Sequence, residues 1–283
     1  MYDFPIIDAH LHVWDTNEFR YPWLDDIPQL NTPYLLDDYK RATQSFNIEQ
    51  MVFVQCEAEF DQYLKETKWI TKLSKGNPGI SGIVSWAPLE KGENSRQELE
   101  ILASNPLVKG IRRIIQYEND LDFCIQPDFI RGVQILEDFN FSFDICISHI
   151  HFKNTLRLVE QCPGVNFILD HIGKPDIKDQ VLHPWMEDIK KLAEFPNVYC
   201  KMSGLVTEAD HQNWHKEDLQ PFFDHVIDCF GFDRLVFGGD WPVVGLASPF
   251  QGWVETLLSL LNGVSEFEKQ KLFYRNAQVF YKL

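Results

Sequence analysis

Residues 165–172 read VNFILDHI, and this stretch decides the fold. Its apolar side chains run on almost without polar alternation, which a parallel sheet buried on both faces requires. It then stops on a polar pair, Asp170-His171. Working outward, seven more runs have the same β-branched or aromatic character. They are PIIDAHLHVW (5–14), MVFVQCEA (51–58), ISGIVSWAPL (80–89), KGIRRIIQ (109–116), FSFDICISHI (141–150), VYCKMSGL (198–205) and RLVFGGDW (234–241). Helical segments lie between them. PDFIRGVQILEDF places Phe129, Val133 and Leu136 on one face behind a first-turn Pro127, and PWMEDIKKLAEFP is bracketed by prolines. Ser265 and Glu268 have capping-box spacing. Eight strands alternating with helices predict a single (β/α)8 TIM barrel over 1–283 rather than an open doubly wound sheet.

No Gly/Ser tract, Pro-rich stretch or long charge block interrupts the chain. One irregular insert, residues 15–36, follows the first strand at the face where barrels keep their chemistry. It is a candidate lid or a structural flap.

The 283 residues carry 26 basic and 42 acidic side chains, a formal charge of −16. That balance argues against nucleic acid, which needs clustered Lys and Arg. No apolar run approaches a membrane span and no basic leader opens the chain. The six cysteines include no C-x-x-C pair, and Cys56, Cys146 and Cys200 sit inside strand runs as small hydrophobes. A cytoplasmic protein is expected. No residue pattern sets an oligomeric state, and a homo-oligomer stays open.

Polar residues collect at the strand ends. His10 and His12 close the first strand on one face, with Asp8 a layer deeper. Two imidazoles behind Ile6-Ile7 need partners that an apolar barrel cannot supply. The second strand ends with Gln55 and Glu57, the fourth with Arg112 and Gln116, and the fifth with His149 and His151. His171 ends the sixth, Lys201 and Ser203 the seventh, and Asp240 the eighth, behind Gly238 and Gly239. His183, His211, His215 and His225 fall outside this pattern. No P-loop, G-x-G-x-x-G or G-x-S-x-G occurs, so no nucleotide cofactor is expected.

The motifs IIDAHLHVWD, YPWLDD, KGIRRIIQ, IQPDFIRG, FILDHIGKP, CKMSGLVTEAD and DRLVFGGDWPV occur in order along nearly the whole chain. Together they resemble the amidohydrolase superfamily, in its sugar-acid lactonase branch. The resemblance implies an amidohydrolase-like barrel that opens an aldonolactone, of the L-fucono or L-rhamnono kind, to the free acid. Opening a lactone needs an activated water and a stabilised oxyanion, so Asp240 is expected as general base, with His171, His10 and His12 polarising the carbonyl. The strand-four carboxylated lysine or glutamate of two-metal members is replaced here by Arg112, Arg113 and Gln116. One divalent metal, Zn²⁺ or similar, on His10, His12, Asp240 and His151 is therefore one reading, and metal-free catalysis is the other. Arg112, Gln116, Gln55 and Glu57 are expected to bind sugar hydroxyls, and Trp86, Trp214 and Trp241 to stack on the ring. Two other functions compete: a decarboxylase or dicarboxylate-lactone hydrolase of the same superfamily, and a non-catalytic binding barrel.

Overall fold

The computed structural model describes residues 2–283. Eight parallel strands follow one another around one sheet in chain order. They are β1 Tyr2–Leu11, β2 Phe46–Val54, β3 Ile80–Ser85, β4 Val108–Ile111, β5 Ser142–Ile145, β6 Phe167–Leu169, β7 Val198–Met202 and β8 Leu235–Phe237. Helices lie between them, and the architecture is the (β/α)8 barrel that the alternation predicts. All eight expected strands are present, but each leaves the ladder several residues before its apolar run ends. Those last residues keep single backbone bonds to their neighbours, such as Gln55 N–H to the Val84 carbonyl and Arg112 N–H to the Ser85 carbonyl, and several aim polar side chains at the mouth, as barrel chemistry demands.

Where β8 meets β1, the seam is sewn by the residues that carry the candidate chemistry. Asp240 N–H donates to the His10 carbonyl at 2.8 Å, and His12 N–H donates to the Trp241 carbonyl at 2.9 Å. This approach needs small residues. A Cβ on Gly238 would lie 2.8 Å from that of His10, and one on Gly239 would lie 2.4 Å from an Asp8 oxygen. The helices dock by the stripes read from sequence. Pro127–Ile135 buries Phe129 and Val133, and Trp185–Ala193 buries Ile189 and Leu192. The Ser265–Glu268 capping box is formed.

The insert at 15–36 has a small core of its own. Trp14 pairs with Tyr34 and donates its indole N–H to the Thr32 carbonyl at 2.9 Å, while Tyr21, Leu24 and Leu30 are buried. A short turn at Pro22–Asp26 brings Trp23 to the barrel mouth. No described helix is long and apolar enough to cross a membrane.

Candidate active site

The strand ends surround a cavity of about 200 Å³, whose wall includes His12, Glu57, Arg112, Gln116, His171 and Asp240. His10 lies buried directly beneath. Three of these groups sit on strained backbone: Glu57, His171 and Asp240 each have φ of +53°. A non-glycine residue held there costs about 1–3 kcal/mol, and such positions gather at functional sites.

His10 Nε2, His12 Nε2 and one Asp240 oxygen converge, with separations of 3.1, 3.5 and 3.7 Å. Metal–nitrogen bonds of about 2.0–2.1 Å give ligand separations of roughly 3.3 Å in a tetrahedral site, so the three atoms fit one divalent ion. His12 supports this by donating Nδ1–H to the Val54 carbonyl at 2.7 Å, which turns its Nε2 lone pair inward. The Arg112 guanidinium stands 3.3 Å from His10 Nε2 and 3.2 Å from Asp170. It points at the same His10 nitrogen that an ion would use, so the two compete for it.

His151 does not join this set. Its Nδ1 faces Ser148 Oγ at 3.0 Å and its Nε2 is buried without a partner among the described residues, because the chain turns into a short helix at His149–His151. Asp170 is drawn in instead, and His10, Asp170 and His171 form a second close triad.

His171 stands against Ser203, with Nδ1 2.9 Å from its Oγ, and against Asp240 at 4.0 Å. Burial pushes the His171 imidazole down to about 4, against the pull of Asp240. Burial, then Lys201, hold His10 well below the usual imidazole range. Burial alone would raise the Asp240 carboxyl, but His171, His12 and His10 outweigh it and hold it below the usual range. These are two sides of one interaction. Near neutral pH the buried His171 and His10 are uncharged, so the pull on Asp240 is weaker than in acid. Asp240 is ionised in either case.

Beneath the mouth, Lys201 is fully buried with Nζ at 2.6 Å from Asp144, 2.9 Å from Asp170 and 3.1 Å from His10 Nδ1. Burial opposes its charge, but Asp144 and Asp170 more than restore it.

Not every expected side chain reaches the cavity. Gln55 is buried behind the wall, donating to Glu57 at 2.7 Å and accepting from Glu57 N–H at 2.6 Å, so it holds Glu57 in place. The three tryptophans lie elsewhere. Trp241 packs against Tyr34 and Tyr39, and Trp214 donates to the Ala247 carbonyl at 3.0 Å. Trp86 packs edge-on to Phe60 and tilted against Tyr63 beside a separate cleft. Alternation along a strand cannot see this, because Trp86 and Trp214 follow the last paired residue and Trp241 rejoins the sheet only by an isolated bridge to Leu11. Trp23, Lys174, Glu208 and His211 line the cavity instead. Lys174 and Glu208 fall within the motifs FILDHIGKP and SGLVTEAD. Trp23 falls within the motif YPWLDD in the same way, and nothing in the local pattern singles out His211.

A barrel with paired imidazoles ending its first strand and a carboxylate ending its last defines a class of hydrolytic enzyme. The amidohydrolase family profile matches residues 7–283, and the chain belongs to that family. An L-fucono-1,5-lactonase from Burkholderia multivorans is 30% identical over 89% of this chain and 90% of its own. An L-rhamnono-gamma-lactonase from Scheffersomyces stipitis is 24% identical over the full length of both. Among solved structures, a zinc-bound amidohydrolase from B. multivorans superposes with a TM-score of 0.89 at 28% identity, covering 99% of this chain and 100% of its own.

Proposed function

We propose that this chain is a lactonase that opens a sugar-acid lactone, such as an L-fucono- or L-rhamnono-lactone, to the free acid. The observation that carries the reading is the convergence of His10, His12, His171 and Asp240 at a small cavity walled by hydrogen-bonding groups. Its volume suits a ligand of roughly a dozen non-hydrogen atoms rather than an oligosaccharide. The names of its relatives agree with this reading.

Opening a lactone requires a deprotonated water, a stabilised oxyanion and a proton for the departing ring oxygen. Asp240 is ionised, and its nearest imidazole nitrogen lies 3.5 Å away, so an oxygen is free to accept the water proton. As a weak base it does not keep that proton, because the ring alkoxide that leaves is far more basic. His171 is neutral at working pH and its Nε2 has no partner among the described residues. If Nδ1 accepts from Ser203, Nε2 carries the proton and can donate to the oxyanion or the ring oxygen. Arg112 adds a fixed positive charge at the wall. A divalent ion such as Zn²⁺ on His10, His12 and Asp240 would supply Lewis-acid polarisation of the carbonyl when bound. Gln116 and Glu57 are placed to hold ring hydroxyls.

A pH-indicator assay over a panel of aldonolactones tests this, using as-purified, chelated and zinc-reloaded protein with metal content measured and spontaneous opening subtracted. Turnover of aldonolactones is expected, with no more than one metal per chain. Carbon dioxide release from a carboxylated substrate, without aldonolactone opening, would assign the chain to a decarboxylase instead.

A further inference from the structure

The catalytic cavity has a neighbour. A second cavity, of about 570 Å³, adjoins it, and both are lined by Lys174, Thr207, Glu208 and His211. Thr207 and His211 are engaged at this seam: Thr207 Oγ donates to the Gly204 carbonyl at 2.8 Å and His211 Nε2 faces the Thr207 carbonyl at 2.9 Å. Lys174 and Glu208 are not. Both are half-buried, yet neither side chain has a hydrogen bond or an ion pair among the described residues. The two charges attract one another across the seam, and the capacity each has for a hydrogen bond stays open to a ligand group.

The chemistry of that group follows from the charges. A lone ammonium would favour a carboxylate and a lone carboxylate a cation. A separated pair favours a group that both accepts and donates, which is a hydroxyl. The outer cavity adds Asp176, Asp210 and Lys178, so carboxylates outnumber ammonium groups and a negatively charged arm is disfavoured.

Position supplies the rest. Lys174 closes the turn that begins at His171, donating its N–H to the His171 carbonyl at 2.9 Å. The Glu208 segment lies on the same side, since a Cβ on Gly204 would lie 2.6 Å from that of His171. In a lactone the exocyclic arm hangs from the carbon bonded to the ring oxygen. An arm in this seam therefore turns the ring oxygen toward His171, the proton donor.

We propose that this seam is the subsite for a hydroxylated exocyclic arm of the lactone, with Lys174 donating to the arm hydroxyl and Glu208 accepting from it. The proposal rests on the lactonase reading and narrows it. A 6-deoxyhexono-1,5-lactone offers only a methyl group here. A hexono-1,5-lactone with its terminal hydroxyl, or a 1,4-lactone with a hydroxylated arm, fills the gap.

The test compares L-galactono-1,5-lactone with L-fucono-1,5-lactone, which differ only in the arm hydroxyl, in wild type, Glu208→Gln, Lys174→Met and the double variant. Wild type is expected to favour the hydroxylated lactone in kcat/KM by about ten- to hundred-fold. Each single substitution should reduce that ratio to within about three-fold of unity, and the double should lower it little further, because both side chains serve one hydroxyl. Wild-type preference for the deoxy lactone, or a ratio that survives both substitutions, overturns the subsite. Equal losses on both lactones would also overturn it, because the residues would then act on the ring chemistry. Should Glu208→Gln fail to fold, the ratio in Lys174→Met decides. Wild type that opens neither these lactones nor any other in the panel defeats the lactonase reading itself.

Discussion

Two polar layers of the barrel differ in how far their bonding capacity is filled. In the lower layer, Asp8 accepts from His10 N–H at 3.1 Å, Gly239 N–H at 2.8 Å and the Tyr39 hydroxyl at 2.9 Å. Asp144 is held between Lys201 and the Tyr281 hydroxyl, at 2.6 and 2.7 Å. In the upper layer, the Asp240 carboxylate has only imidazole nitrogens 3.5 Å or more away, and the Lys174 and Glu208 side chains have no hydrogen bond or ion pair within 4 Å among the described residues. Both layers are rich in buried charge, so burial and polarity do not separate scaffold from site. Unfilled bonding capacity at a cavity does.

The largest effect expected from this contrast is at Asp240. Asp240→Asn keeps the volume and removes the base, so turnover on the best lactone should fall by about 10²–10⁴ while the thermal midpoint stays near that of wild type. Near wild-type turnover would end its assignment. The counterpart below is Lys201→Met, which leaves Asp144 and Asp170 buried with less compensation. It should destabilise the fold by about 3–5 kcal/mol in denaturant unfolding. An unshifted unfolding midpoint together with lost activity would move Lys201 from the scaffold into the chemistry.

A smaller effect tests a buried carboxyl outside this layer, Glu66 on the helix Tyr63–Ser74, which accepts from Cys56 N–H at 3.4 Å. Burial pushes the Glu66 carboxyl up to about 8. Around neutral pH the folded chain holds a proton that the unfolded chain has released. This contribution to stability is full below the ordinary carboxyl range and is lost as pH rises through 8. Glu66→Gln should match wild type near pH 5 and exceed it by a few kcal/mol near pH 9. Parallel stability curves for the two proteins would place a charged Glu66 in the fold.

The barrel was legible because strand and helix periods show in the residue order without any knowledge of contacts. VNFILDHI needs two covered faces whatever packs on them. The pairing at the site was partly legible: His10-x-His12 shares a face by alternation, and a carboxylate behind two glycines stands out. Side-chain directions beyond the last paired residue of each strand were not legible. His151 turns away because the chain enters a short helix at His149, and Trp241 leaves the cavity for the aromatic cluster of Tyr34 and Tyr39. Trp23 arrives from a loop twelve residues beyond the first strand, where no period predicts direction.

The smallest effect concerns the aromatic rim, where the same contrast separates two tryptophans. Both donate their indole N–H, Trp23 to the Cys56 carbonyl at 2.8 Å and Trp214 to the Ala247 carbonyl at 3.0 Å. Only Trp23 also presents its ring to the catalytic cavity. Replacement by phenylalanine removes one hydrogen bond in each case, at a cost of about 1 kcal/mol in stability. Trp23→Phe should in addition raise KM for the lactone several-fold, because ring contact area is lost where the substrate lies. Trp214→Phe should leave KM within about two-fold of wild type, since its bond is spent inside the protein. A raised KM in Trp214→Phe at unchanged stability would mean that the substrate extends past the cavity to the loop before Ala247. The contrast between filled and unfilled side chains would then fail as a guide to the rim, though not to the floor, where it rests on charge.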